Sequence, residues 1–306
     1  MRSGALLWFS GCVALLLAAA LFTSSSDRQG ASLSVATGAT DGLPQQIHSV
    51  ELGKYYSFAG EELPMKNFDV RERLDREFLV NSYYHSNTLL SIKMAYRHFP
   101  AIEKILAEEG LPDDLKYLAV AESSLLNAGS HAGAEGVWQF LEGTGKEYGL
   151  EINDEVDERY HLEKSTRAAC QMFRKLHERF GSWTLSATAY NMGASRLAQT
   201  IEQQRSNSFF DLNLSSETNR YLFRIVAIKE ILSRPADFGF YLERSQLYPP
   251  LEKYKTVEVN GPVDNWGDFA KEHGTTYRLL KVYNPWLHSH KLTNKEKKTY
   301  EVRVAK

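Results

Sequence analysis

Between Leu63 and Pro235, apolar residues recur at helical spacing and are cut into segments by Gly, Pro and capping residues, a pattern that limits this stretch to an all-α fold. Ala168, Met172, Leu176 and Phe180 form one apolar stripe, with Ser165 as its expected cap and Gly181 as its stop. Tyr221, Ile225, Ile228 and Leu232 form another, opened by Ser215 or Ser216 and ended by Pro235. Between them, residues 183–191 predict a short helix, which Met192-Gly193 breaks before a second over 195–203. Upstream, residues 91–98 and 101–109 read as two helical pieces separated by Pro100. Leu111-Pro112-Asp113-Asp114 then starts a helix reaching about Ser123, with acids in the first turn, where the helix dipole favours them.

The last sixty residues follow a different pattern. Residues 256–259 and 300–304 alternate like short strands, while 264–272 and 276–283 are short helical pieces, giving the order strand, helix, helix, strand. Pro249-Pro250 marks the change. At the other end, Arg2 precedes an uncharged, almost wholly apolar run over 5–22, which reads as an export signal retained as a membrane anchor. Ser10-Gly11-Cys12 is a poor lipoprotein site, because the apolar run continues past Cys12. The expected division is a signal or anchor over 1–24, a Ser/Gly/Thr-rich linker over 25–60, a helical domain over 61–245 and a small α+β module over 250–306.

A net charge of −2 on 306 residues gives no electrostatic footing for nucleic acid. Cys12 and Cys170 have neither metal-ligand spacing nor a disulfide framework, and His288 and His290 read as a solvated pair, so no metal is expected.

The densest chemical signal is Ala119-Val120-Ala121-Glu122-Ser123, followed by Ser130, Gly133-Ala134-Glu135-Gly136 and Trp138-Gln139-Phe140. Glu122 closes a helix whose earlier turns are apolar. Burial there disfavours the carboxylate and raises its pKa, which suits a general acid near neutral pH. The glycines of the following loop allow tight turns. Trp138 and Gln139 offer a flat apolar face and an amide, both suited to N-acetylated sugars. From the residues alone, Glu122 can equally be a solvated helix end, and Tyr190 and Tyr221 can be core tyrosines.

Glu122-Ser123, the Ser130 to Gly136 loop, Trp138-Gln139-Phe140, Ala189-Tyr190-Asn191 with Gly193, and Tyr221 on a later helix resemble, in order and spacing, the soluble-lytic-transglycosylase-like domain of glycoside hydrolase family 23. Trp138, where many members carry Met, makes the chain similar to the membrane-bound lytic murein transglycosylase D subgroup. The resemblance implies a mainly α, lysozyme-like catalytic domain that needs no cofactor. It further implies cleavage of the β-1,4 bond between N-acetylmuramic acid and N-acetylglucosamine in peptidoglycan strands, giving 1,6-anhydromuramoyl products in the periplasmic cell envelope. It makes Glu122 the single catalytic carboxylate, supported by Ser123 and positioned by Tyr190 and Tyr221. Ser130, Gly136, Trp138, Gln139 and Phe140 then line the sugar groove, while Asn191, in the same set, is the more structural member. The chain departs from the family in a shorter loop without Asn-Pro and in His131 where Pro is frequent, which bears on the loop's path. Glu135 and Glu142, the nearest other carboxylates, read as solvated. Leu279-Leu280 and Asn284-Pro285 in the C-terminal stretch resemble a degenerate LysM module, which implies glycan binding. The competing readings are a muramidase of the same fold and a catalytically silent glycan-binding scaffold.

Overall fold

The computed structural model describes residues 48–306. The expected signal or anchor over 1–24, Cys12 included, and the expected linker up to residue 47 lie outside the described residues. Residues 49–306 form one compact unit. Among the described residues no helix is long and apolar enough to cross a membrane.

Eight helices build the body: α1 Phe68–Tyr83, α2 His85–Glu108, α3 Lys116–Ser123, α4 Glu142–Glu147, α5 Leu162–Phe180, α6 Trp183–Met192, α7 Ala194–Gln204 and α8 Ser216–Ser233. At its centre is α8, where Tyr221, Leu222, Phe223, Ile225, Val226, Ala227, Ile228 and Ile231 are all buried. A helix apolar on nearly every side must be surrounded, and α1, α3 and α6 pack around it. Ser215 caps it by accepting from the Thr218 amide.

Three local expectations are corrected. Pro100 does not divide two helices but lies inside the continuous α2. A proline in a helix costs about 3 kcal/mol, and Ile102, Ile105 and Leu106 just beyond it are buried, each contributing about 1.5–3 kcal/mol, so burial outweighs the break. The cap of α5 is His161, whose ring accepts from the Lys164 amide. Ser165 is instead buried and donates back to the His161 carbonyl at 2.9 Å.

The third correction concerns the end of the expected linker. Tyr56 and Phe58 are buried in the helical core. Their segment forms an antiparallel hairpin, β1 Ser57–Phe58 with β2 Glu61–Glu62. Its turn residues Ala59 and Gly60 have φ of 51° and 84°, the conformation that fits the twist of a two-residue hairpin. The Glu61 carboxylate receives the Ser182 hydroxyl at 2.8 Å and the Thr184 amide at 3.0 Å at the start of α6. Asp114 receives the Ala59 amide at 2.7 Å and Lys229 of α8 at 2.6 Å. The end of the expected linker is therefore part of a hairpin that Glu61 and Asp114 cross-link to the helices.

The C-terminal module has the expected order: β3 Tyr254–Val259, α9 Trp266–Glu272, α10 Tyr277–Tyr283 and β4 Tyr300–Ala305. The strands pair antiparallel from Tyr254 with Ala305 to Val259 with Tyr300. Asn284 is fully buried. Its side chain bridges helix and strand, donating to the Leu280 and Arg303 carbonyls at 2.8 and 2.6 Å and accepting from the Arg303 amide at 2.8 Å. The module has a core of its own around Trp266, Leu280, Trp286 and Val302, and Val156 of the helical body belongs to it.

Candidate active site

Helix α3 ends at Ser123 because Ser124 and Leu125 both turn left-handed, with φ of 54° and 60°. Such a conformation is costly for residues with side chains. Here Leu125 is buried, which offsets the cost, and the turn leaves Glu122 on the last turn of a helix with a buried Leu118-Ala119-Val120 segment behind it.

Glu122 is half-buried, and its Oε1 accepts a hydrogen bond from the Tyr221 hydroxyl of α8. Burial pushes its carboxyl above the ordinary range, while the Tyr221 bond and the charge of Arg224 act the other way and Glu217 adds a smaller upward push. Glu217, Tyr221 and Arg224 fall near one face of α8, at successive helical turns. Arg224 lies 3.9 Å from Glu77 of α1, and Glu77 also pairs with Arg220 at 2.6 Å. Glu77 is fully buried, and removing one partner of such a pair costs roughly 3–5 kcal/mol. The pair holds the Arg224 face of α8 in a fixed place. Glu77, Glu217 and Arg224 were not singled out from the sequence; the spacing of Glu217 and Arg224 from Tyr221 on one helix was a signal for those two, and nothing local marked Glu77.

Tyr190, expected to position Glu122, instead donates its hydroxyl to the Trp138 carbonyl at 2.6 Å. It holds the loop, and the Glu122 charge still reaches its phenol, which burial already pushes far above its usual range. Ser123 also holds the loop: its hydroxyl donates to the Val137 carbonyl at 2.8 Å and to the Ala119 carbonyl at 3.1 Å.

The Trp138 and Phe140 side chains are core residues, not groove walls, which corrects their expected role. Both are buried. The Trp138 indole donates to Thr166 at 2.9 Å and sits edge-on to Phe173, while Phe140 meets Tyr190 edge-on. A large ring whose N–H has an internal partner gains more from burial than from exposure. Gly136 is likewise a packing residue: a Cβ there would come within 2.0 Å of the Arg159 carbonyl. Asn191 accepts from Thr218 at 3.0 Å and ties α6 to α8. Gln139 is half-buried and uses its amide nitrogen on the Ala128 and Gly136 carbonyls at 2.7 and 2.8 Å. Ser130 is exposed and accepts from the Ala134 amide at 3.0 Å. Of the expected groove residues, the structure thus keeps Ser130, Gln139 and the 136–140 backbone in one loop, which Ser123 ties to the end of α3.

Glu135, expected to be a solvated side chain, is half-buried and paired. Its carboxylate lies against Gly129 and accepts from the Tyr160 hydroxyl. Glu142 is exposed and paired with Lys146, and His131 is exposed. A separate cleft of about 600 Å³ lies between α2, the start of α5 and the C-terminal module, and none of the side chains acting on Glu122 lines it.

Residues 99–213 match the transglycosylase SLT domain family, and residues 255–306 match the soluble lytic transglycosylase C-terminal LysM-like domain. The chain carries a transglycosylase SLT domain followed by a LysM-like domain. The SLT match contains Glu122, the loop and Tyr190, while Tyr221 lies just beyond it. Over 241 residues the chain is 30% identical to membrane-bound lytic murein transglycosylase D of two Escherichia coli strains, covering 76% of this chain and 52% of each relative. It therefore spans about half the length of these relatives. The X-ray structure of an inactive mutant of lytic transglycosylase Slt from Pseudomonas aeruginosa aligns over 50% of this chain and 27% of its own, at 18% identity and a TM-score of 0.39. The SLT match falls in the mainly α body, and the LysM-like match falls in the C-terminal strand-helix-helix-strand module.

Proposed function

We propose that this chain is a peptidoglycan lytic transglycosylase that cleaves the β-1,4 bond between N-acetylmuramic acid and N-acetylglucosamine to give 1,6-anhydromuramoyl ends. The observation that carries the reading is the half-buried Glu122, with its carboxyl raised by burial and one oxygen oriented by Tyr221. A carboxyl whose proton is held more tightly than usual can donate it to the glycosidic oxygen as the C1–O bond breaks. The resulting carboxylate then takes the proton of the muramoyl C6 hydroxyl as that oxygen closes on C1. The proton count of Glu122 is restored and no water is consumed, whereas ordinary glycosidases use a pair of carboxylates. Tyr221 orients the acid, Ser123 and Tyr190 hold the loop beside it, and Ser130, Gln139 and the 136–140 backbone are the sugar contacts. Cell-envelope placement is supported by the apolar run over 5–22 and by the membrane-bound relatives.

Glu217 favours a second reading, a muramidase, because its charge reaches Glu122 from the same helix face. Mass spectrometry of digests of purified sacculi separates the two: anhydro ends support the transglycosylase and reducing ends select the muramidase. Glu122→Gln should lower release of soluble fragments by at least about 1,000-fold, since its amide cannot shuttle the proton. Full turnover by the purified variant would remove Glu122 from the mechanism.

A further inference from the structure

The loop beside Glu122 is held on its far side by residues 157–160, and those residues are held in turn by the C-terminal module. Arg159 is buried and donates to the Gly133 carbonyl at 3.0 Å and the Phe140 carbonyl at 3.2 Å, near the two ends of the loop's glycine-rich stretch. Its other nitrogens grip the buried Asp157, at 2.6 Å for the shortest contact. Its own carbonyl fills the space where Gly136 lacks a side chain. The neighbouring Tyr160 donates to Glu135, which bridges Gly129 and Phe140 through backbone pairing. One dipeptide thus fixes the loop through three carbonyl or carboxylate acceptors and one close backbone contact.

This dipeptide does not stand on the helical body alone. The Asp157 amide donates to the Trp286 carbonyl at 2.9 Å, and the His288 amide to the Glu155 carbonyl at 2.9 Å. Glu155 also accepts from the Thr293 amide and hydroxyl at 2.7 and 3.0 Å. Val156 between them is a core residue of the module, and the rings of Tyr160 and His288 lie 4.9 Å apart. The contacts run without a gap from the module, through residues 155–160, to the loop whose other side is tied to Ser123 and Tyr190.

We propose that Arg159 and Tyr160 are positioning residues for the reaction at Glu122 and that the LysM-like module is their support, so that the module acts in turnover and not only in glycan attachment. The proposal rests on the function inferred above. It places the module's effect on kcat, because the loop lies beside the acid and a small displacement there can cost up to about a hundredfold in rate.

Two full-length variants test it. Tyr160→Phe removes only the hydroxyl that reaches Glu135, and Glu155→Ala removes only the carboxylate clamp on Thr293 of the module. On a short soluble muropeptide, kcat should fall about tenfold in the first and about threefold in the second, with KM within about twofold of wild type. In hydrogen exchange, amides over 128–140 should exchange faster in both, while those of α8 keep their protection. Unchanged exchange over 128–140 in both variants overturns the proposal, as does a rise in KM with kcat intact. If the wild-type chain releases no fragments at all, the proposed activity falls, and the exchange measurement alone still decides the positioning role.

Discussion

The helical body closes its core largely on its own residues, whereas the C-terminal module closes its core on a residue from outside itself. Around α8 the body has enough helix to bury Tyr221, Phe223, Ile225 and Ile228 on all sides. The module has two helices of seven residues and one pair of strands, and a two-stranded ribbon is marginal by itself in water. It reaches a closed core by taking in Val156 and by giving the Asp157 amide the Trp286 carbonyl. The composition change at Pro249-Pro250 is therefore a boundary in the chain but not in the packing.

Truncation after Tyr248 is the strongest way to break this comparison. It uncovers Val156 and strips Glu151, Glu155 and Glu163 of Tyr300, Thr293 and Arg303. Uncovering one valine costs about 1.5–3 kcal/mol, and with the lost hydrogen bonds the melting temperature of the body should drop by about 5–10 °C. An unchanged Tm would make the module an independent appendage.

A smaller effect is expected where the body itself departs from ideal packing. The folded state raises the Glu122 carboxyl above its ordinary value of 4.5, so it binds that proton more tightly than the unfolded chain does. The resulting stability is fully present below pH 4.5 and is lost as pH rises through the elevated pKa. Glu122→Gln carries no charge to desolvate, and at pH 7–8 it should melt about 2–4 °C above wild type. The gap should close below pH 4.5; the same gap at every pH would show that ionisation is not its cause.

The smallest effect lies on the seam. Glu163 is partly desolvated, yet the contacts with His161 and Arg303 hold its carboxyl down at about 2. A depressed carboxyl adds stability that is present above its ordinary 4.5 and lost as pH falls toward 2. The pair is about one-third exposed, so Arg303→Ala should lower Tm by only about 1–3 °C at pH 7. The deficit should shrink between pH 4.5 and 2. A constant deficit across that window would assign it to lost packing of the arginine stem.

The helices and their order were legible in the sequence wherever apolar periodicity and a cap agreed, as at Ser215 and Gly181. Legibility failed where a local rule was outweighed from a distance. Pro100 signals a break, but the buried face of α2 carries through it. Residues 49–60 have the composition of a tether, but Tyr56 and Phe58 are buried in the helical core and the Ala59 amide reaches Asp114, fifty-five positions away. Trp138 looks like a sugar platform because an aromatic ring next to Gln suits one; Thr166, at the start of α5, supplies the buried acceptor that makes it a core residue.

By itself, the sequence determined the later apolar helices of the body, where an acid closes an apolar helix, and the strand-helix-helix-strand order beyond Pro250. These depend on periodicity and caps, which act within one or two turns. Only the tertiary structure decided that Tyr221, ninety-nine positions later, grips Glu122, and that the chain beyond residue 250 supports the loop beside it. Such contacts depend on how whole helices and loops settle against one another, because a buried donor or acceptor must find its partner wherever packing brings one within reach.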